Sequence, residues 1–171
     1  MRPLRTVRIP TENGVPKERE EDVIRKANIE DVKVIQKIVG YYAKRNQMLP
    51  RSLNELYENI RDFYVSVEAR KVCGCCALHI DWEDLAEIKS LAVTASKTGR
   101  GIGTRLIEQC LREAKHLKIR KVFALTYIPE FFQRFGFTMI DKQELPHKIW
   151  SECIKCVHFP SCGENAMMRE I

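Results

Sequence analysis

Three glycines, Gly99, Gly101 and Gly103, alternate with other residues after an apolar strand pattern and at the start of a helical one. Backbone N–H groups at a helix start have no intrahelical partner, and glycines keep side chains away from them. Such a loop can bind phosphate oxygens. A lone G-x-G is a weak indication, but the preceding strand and following amphipathic helix are the context that a phosphate loop requires.

The strand pattern before this loop is irregular. Ala86 and Ile88 keep one phase of the alternation, and Leu91 and Val93 keep the other, so the pattern slips by one residue around 89–90. A slip of this kind predicts a β-bulge, which bends a strand and leaves backbone groups unpaired.

Strand-like and helical segments surround the loop. Apolar patterns predict strands at 23–27, 63–67, 72–80, 84–94, 121–126 and 137–140, and helices after the N-caps Asn28 and Ser52, at 101–117 and at 129–134. This order predicts an α/β domain with a mixed, mostly antiparallel sheet, a bulged strand and helices on both faces. A Rossmann domain is not expected, since no acidic residue ends a strand about twenty residues after the loop. The residues after 140 show no clear pattern.

The composition is typical of an ordinary folded domain. Of the 171 residues 44% are hydrophobic and 30% are charged, and no apolar run reaches the roughly 20 residues of a membrane span. The basic N-terminus lacks the hydrophobic core of a secretory signal, so we expect a cytoplasmic protein. We expect residues 1–20 to form a flexible arm, residues 21–171 to form one domain, and residues 145–171 to be a cysteine-containing extension of it.

The net charge of +6 is spread along the chain. It indicates either a solvated basic surface or a mild attraction for anionic small molecules. No zinc-finger spacing, RNP-like motif or arginine run indicates a nucleic-acid partner, and no membrane partner is expected. The sequence leaves the oligomeric state open, a homodimer included.

Three of the seven cysteines form a C-x2-C-x5-C pattern near the C-terminus: Cys153, Cys156 and Cys162. With His158 or His147 they would make a three-cysteine, one-histidine zinc site, and with one thiolate from 73–76 an all-cysteine site. Iron–sulfur ligation is a further alternative. Buried reduced thiols, which need no metal, are the remaining interpretation.

Two strings together resemble the GNAT superfamily of N-acetyltransferases: L-A-V-x5-G-x-G-I-G-x-x-L-I, which begins at Leu91, and F-F-Q-R-F-G-F, which begins at Phe131. The resemblance implies the GNAT fold over about residues 22–140. It also implies that the glycine loop holds the pyrophosphate of acetyl-CoA.

A closer resemblance is to the acetyltransferase domain of the N-acetylglutamate synthase family, especially its short bacterial form. The matching strings are A-L-H-I-D-W-E-D-L-A-E-I-K-S-L-A-V (77–93), V-F-A-L-T (122–126), P-E-F-F-Q-R-F-G-F (129–137) and L-P-H-K (145–148). That family acetylates the α-amine of glutamate in the first step of arginine synthesis. Its longer members add an arginine-sensing domain, for which this chain has no room. Thr98 replaces the usual Gln or Arg of GNAT loops, and Phe132 replaces a common Tyr acid, as in the synthase branch.

The resemblance assigns chemical roles to individual residues. Glu87 matches the base that takes a proton from the substrate ammonium, directly or through water; the alternative is a solvent-facing carboxylate. Thr126 matches a hydroxyl that protonates the leaving sulfur or orders water; the alternative is a locally bonded hydroxyl. An N–H of Leu91 or Ala92, freed by the bulge, could polarise the thioester carbonyl.

The same resemblance implies the binding residues. The acetyl-CoA contacts would come from the strand end, the loop and the short helix: Leu91, Ala92, Val93, Thr98, Gly99, Arg100, Gly101, Ile102, Gly103, Thr104 and Phe132. Arg51 and Lys148 match cations that contact the substrate carboxylates, whereas a surface cation is the ordinary alternative for each and for Arg100. The alternatives to glutamate acetylation are another small amine or amino acid, such as glutamine, and a non-catalytic module that binds CoA or metal.

Overall fold

The computed structural model describes residues 23–146, residue 154 and residues 162–171. Seven strands lie in this part of the chain: Val23–Lys26 (β1), Phe63–Glu68 (β2), Lys71–Trp82 (β3), Leu85–Val93 (β4), Lys121–Thr126 (β5), Thr138–Ile140 (β6) and Asn165–Glu170 (β7). Four α-helices lie within 23–146: Val32–Ala43 (α1), Leu53–Glu58 (α2), Ile102–His116 (α3) and Pro129–Gln133 (α4). The predicted arm at 1–20 falls outside the described residues.

The strands form one sheet in the order β1-β2-β3-β4-β5-β7-β6. All neighbouring pairs are antiparallel except β4 and β5, which are parallel because α3 carries the chain back between them. The helices α1 and α2 cover one face and α3 covers the other. The predicted α/β class, with a mixed, mostly antiparallel sheet and helices on both faces, is confirmed.

The last strand was not predicted, since the sequence indicated no element after residue 140. Residues Asn165–Glu170 form β7, which inserts between β5 and β6 and pairs antiparallel with both. The segment N-A-M-M-R-E is poor in β-branched residues, so its own propensity for a strand is weak. Its conformation is set by the two strands on either side, which no local pattern reveals.

Local capping signals agree with the observed helix starts. The Asn28 side chain accepts a hydrogen bond from the N–H of Glu30, and the Asp31 carboxylate accepts one from the N–H of Asn28. This capping box begins a short 3-10 turn that leads directly into α1. Ser52 caps α2 by accepting from the N–H of Glu55.

Gly74 sets how closely α3 approaches the sheet. A β-carbon at this position would lie 3.0 Å from Cγ2 of Ile102 and 3.2 Å from Cδ1 of Leu106. The first turn of α3 therefore packs directly on the β3 backbone, which places the preceding glycine loop at the edge of the central strands. Within the described residues, no helix has the length and apolar character needed to cross a membrane.

Candidate active site

The two central parallel strands separate and open a cleft. Within the described residues, β4 pairs with β5 only from Leu85↔Lys121 to Glu87↔Phe123. Beyond Glu87 the strands diverge, and residues 88–93 of β4 face a cleft of about 1370 Å³ whose opposite wall includes the end of β5. An open strand edge of this kind presents backbone N–H and C=O groups to a ligand.

The predicted β-bulge is confirmed and lies at this opening. The register between β3 and β4 shifts between Cys75 and Ala77, and Ser90 has a positive φ of 55°. On either side of the shift, Ala86 and Ile88, and then Leu91 and Val93, pack against the same core cluster beneath α3. The bulge therefore keeps the apolar side chains on one face while it bends the strand away from β5.

The glycine loop lies at the mouth of this cleft. Gly99 and Gly101 have φ values of 76° and 75°, in the left-handed region that favours glycine, and Gly101 is the N-cap of α3. Except for Arg100, every residue that the resemblance assigns to acetyl-CoA lines the cleft. Arg100 instead points to Glu68, with 3.3 Å between its Nη1 and the carboxylate. Its role in phosphate binding stays a prediction.

Glu87 lies in the cleft wall and is buried, so the alternative of a solvent-facing carboxylate is wrong. Its Oε2 is 3.2 Å from Nζ of Lys89, whose side chain is also largely buried. Burial raises the pKa of Glu87 above its usual range, and the positive charges of Lys89 and Arg51 only partly oppose this. A carboxyl with a raised pKa is suited to accept a proton from an ammonium group near neutral pH.

Thr126 ends β5 across the cleft. Its Oγ1 accepts a hydrogen bond from the N–H of Ile128 at 3.0 Å, so the local bond considered in the sequence analysis is present. That bond uses a lone pair of the oxygen and leaves the hydroxyl proton available to another acceptor. The side chain is buried and lines the cleft, so a donor role and the local role are compatible.

Arg51 also lines the cleft, at the start of α2. Its guanidinium pairs with Glu55 and is largely buried, with 18% of the side chain exposed, so it is not an ordinary surface cation. Its charge acts on Glu87, since it lowers the pKa of that carboxyl against the effect of burial. Lys148, the second predicted cation, lies outside the described residues.

Several residues of the cleft were not selected from the sequence. Lys89 beside Glu87 had no distinguishing pattern, because a lysine in a strand is usually exposed. Tyr42 of α1 donates its hydroxyl proton to the carbonyl of Val93 at 2.6 Å and so ties the helix to the end of β4. Arg134 stacks over the ring of Phe131, 4.6 Å from its centroid. Arg134 and Phe131 belong to the F-F-Q-R-F-G-F string, but the string alone did not indicate that they stack at the cleft.

The structure describes only some of the cysteines and histidines of the predicted metal site. Cys153, Cys156, His158 and His147 lie outside the described residues, and the described part contains no group of three or more His, Cys, Asp or Glu side chains able to hold a metal. Cys162 lines the cleft, with its Sγ 3.7 Å from the Glu164 carboxylate. The cysteines at 73–76 are buried in the core. The metal site stays a prediction.

Comparison with known proteins places the chain and its fold among acetyltransferases. The sequence model of the acetyltransferase (GNAT) family matches residues 31–137. A protein of Mycobacterium tuberculosis named amino-acid acetyltransferase is 38% identical over 133 residues, which is 76% of each chain. The residues matched by the family model include the bulged strand, the glycine loop and the F-F-Q-R-F-G-F string.

Solved structures extend this similarity to the backbone. Rv2747 from M. tuberculosis, in complex with CoA and NLQ, superposes with a TM-score of 0.76 at 32% identity, covering 87% of this chain and 99% of that one. N-acetylglutamate synthase from Neisseria gonorrhoeae, complexed with coenzyme A and N-acetyl-glutamate, gives a TM-score of 0.80 at 25% identity. The match covers 86% of this chain but 34% of the synthase.

Proposed function

The chain belongs to the acetyltransferase (GNAT) family, and from this we propose that it transfers the acetyl group of acetyl-CoA to the α-amine of L-glutamate. As a member of the family it is an acetyl-CoA-dependent N-acetyltransferase. The observation that carries the choice of an acidic acceptor is the joint placement of Glu87 and Arg51 in the cleft that the glycine loop borders. The proposed setting is the cytoplasm and the first step of arginine synthesis.

Acetyl-CoA would occupy the gap between β4 and β5. The backbone amides from Gly99 to Gly103, at the positive end of α3, would hold the pyrophosphate. The pantetheine arm would follow the open edge of β4 towards Glu87, where unpaired backbone groups can accept it. An N–H of Leu91 or Ala92 would then polarise the thioester carbonyl.

The chemistry proceeds by direct attack in a ternary complex. Glu87 takes a proton from the substrate ammonium, and the neutral amine attacks the thioester carbon. The tetrahedral oxyanion collapses, the C–S bond breaks, and the CoA thiolate takes a proton from Thr126 or from water that Thr126 orders. The attacking nitrogen, cationic after the attack, loses its second proton, which replaces the one that Thr126 or the water gave up. The products are the N-acetyl amino acid and CoA.

The acceptor carboxylates need fixed cations because they leave water on binding. Arg51 would supply one of them, exchanging its contact with Glu55 for the substrate. Lys148 would supply the other, as a point charge rather than a fork. The names of the similar proteins, an amino-acid acetyltransferase and an N-acetylglutamate synthase, support an amino acid, and glutamate in particular.

The proposal is tested by incubating the protein with acetyl-CoA and each of a panel of amino acids and other amines, and by measuring the CoA thiol that is released. Turnover should be highest with L-glutamate. Preferred turnover of another amine, such as glutamine or a polyamine, would replace glutamate while leaving the reaction class intact. Absence of turnover with retained CoA binding would indicate a non-catalytic module instead.

A further inference from the structure

Acetylation of an ammonium group releases one proton in every turnover. The balanced reaction is R–NH3⁺ + CH3CO–S–CoA → R–NH–COCH3 + HS–CoA + H⁺. In the proposed function Glu87 receives the first proton of the amine, and it must lose that proton before the next cycle. Glu87 is buried and lies in the wall of a cleft that both substrates would fill, so the cleft is a poor exit for the proton.

A second set of polar side chains begins directly beside Glu87. In the antiparallel β3–β4 pair, Glu87 lies opposite His79, and Lys89 lies opposite Ala77. Residues that face each other in this way have β-carbons about 4.5–5.5 Å apart on the same face of the sheet. His79 is therefore the cross-strand neighbour of the proposed base.

His79 in turn contacts a carboxylate nearer the surface. Its Nδ1 is 2.6 Å from Oδ2 of Asp62, in the 3-10 turn Ile60–Asp62 that precedes β2. The side chains of His79 and Asp62 are each 25% exposed, compared with 11% for Glu87. Neither His79 nor Asp62 lines the cleft. Exposure thus increases from Glu87 to the His79–Asp62 pair, on a path that the substrates would not cover.

We propose that His79 is the proton relay that deprotonates Glu87 after each turnover and passes the proton to solvent beside Asp62. This inference rests on the proposed function, but it requires only that some amine is acetylated. Asp62 accepts from Nδ1–H, which holds the imidazole in the tautomer whose Nε2 is the acceptor. The O–H bond of Glu87 breaks, directly or through one water, and an N–H bond forms at Nε2. The imidazolium then loses its Nδ1 proton to solvent beside Asp62, which leaves the Nε2–H tautomer, and rotation of the ring or proton exchange with water restores the Nδ1–H form before the next cycle.

The charges around His79 suit this role. The hydrogen bond to Asp62 raises the pKa of His79. Burial and Lys89 of β4 oppose this, and Asp81 on the same strand as His79 favours it. Burial raises the pKa of Glu87 as well. The raised pKa of His79 makes its ring a better proton acceptor than an ordinary histidine.

His79→Gln tests the relay, with His116→Gln as the matched control, since His116 is an exposed histidine at the end of α3. We expect kcat of the His79 variant to fall at least about tenfold with both KM values unchanged, less than the full contribution of a base that touches the amine. Added imidazole at constant pH should restore the rate of this variant and leave the wild-type and control rates unaltered. Asp62→Asn retains the His79 imidazole and should lower kcat by a smaller, buffer-dependent factor. This second variant tests the relay even if His79→Gln folds poorly.

The outcomes separate the relay from the reaction. An unchanged kcat in His79→Gln, or a loss in both variants that imidazole and other small buffers do not restore, would overturn the relay while the wild-type enzyme still acetylates its amine. Failure of the wild-type protein to acetylate any amine would overturn the proposed function together with the relay.

Discussion

Replacing Glu87 by Gln probes the base of the proposed reaction with little change of shape. The two side chains have nearly the same volume, so the buried site neither gains a cavity nor loses packing. The substitution removes the negative charge, and with it the ion pair with Lys89, whose Nζ lies 3.2 Å from Oε2 of Glu87. Because the amide cannot accept the substrate proton, the amine would have to be deprotonated by water.

The expected loss follows from what a positioned base contributes. General acid–base catalysis is worth about 10²–10⁴ in rate, or about 3–5 kcal/mol of transition-state stabilisation. We expect kcat to fall by this factor. The KM for acetyl-CoA should change little, because the glycine loop and the β4 edge remain. The exposed Glu83→Gln in the β3–β4 turn, a change of the same kind outside the cleft, should leave kcat unaltered.

The pH dependence provides a second check of Glu87. The carboxylate is the active form, so activity should fall as the pH drops through its raised pKa, above the value of about 4.3 for an ordinary glutamate. The folded protein also binds this proton more tightly than the unfolded chain. Its stability should therefore decrease as the pH rises from the unfolded to the folded pKa, and this dependence should be absent in Glu87→Gln.

Thiol release under saturating acetyl-CoA, combined with thermal unfolding of each variant, measures these quantities. A folded Glu87→Gln variant with wild-type kcat would refute the assignment of the base. A loss confined to KM for the amino acid would move Glu87 from proton transfer to substrate binding.

Substitutions at three further sites, each with a matched comparison, address substrate binding, loop geometry and the leaving group. Arg51→Ala should raise KM for glutamate at least about tenfold with a smaller change in kcat, as expected for a charge-assisted contact, while the exposed Arg45→Ala should not. Gly101→Ala should cost about 1–2 kcal/mol of stability because of its φ of 75°, and it should raise KM for acetyl-CoA. Gly40→Ala inside α1, where the β-carbon meets nothing within 4 Å, should instead stabilise the protein by about 0.5–1 kcal/mol. Thr126→Ala should lower kcat, and Thr126→Ser, which keeps the hydroxyl, should retain most of it.

An unaltered KM for glutamate in Arg51→Ala would remove that residue from the substrate site. Equal thermal stability of the Gly40 and Gly101 variants would show that the loop conformation relaxes without cost. Equal kcat values for the alanine and serine variants of Thr126 would leave its hydroxyl with the local bond to Ile128 alone.

The sequence by itself determined the features that depend on neighbouring residues. The caps at Asn28 and Ser52, the bulge near Ser90 and the loop around Gly101 were all predicted from residue types and short-range periodicity, and all are present. These features arise within a few residues of one another. The sequence pattern therefore contains the physical cause, whether a side chain that caps a helix or a glycine that tolerates a positive φ.

The tertiary structure alone decided how distant segments meet. The strand β7 forms by pairing with β5 on one side and β6 on the other. The cleft forms because β4 and β5 stop pairing after Glu87. The nearness of His79, Asp62 and Glu87 depends on the register of β3 against β4 and on the turn before β2. A single residue of register shift would turn these side chains to opposite faces of the sheet. Periodicity along one segment cannot specify such alignments, which follow from packing the whole sheet between its helices.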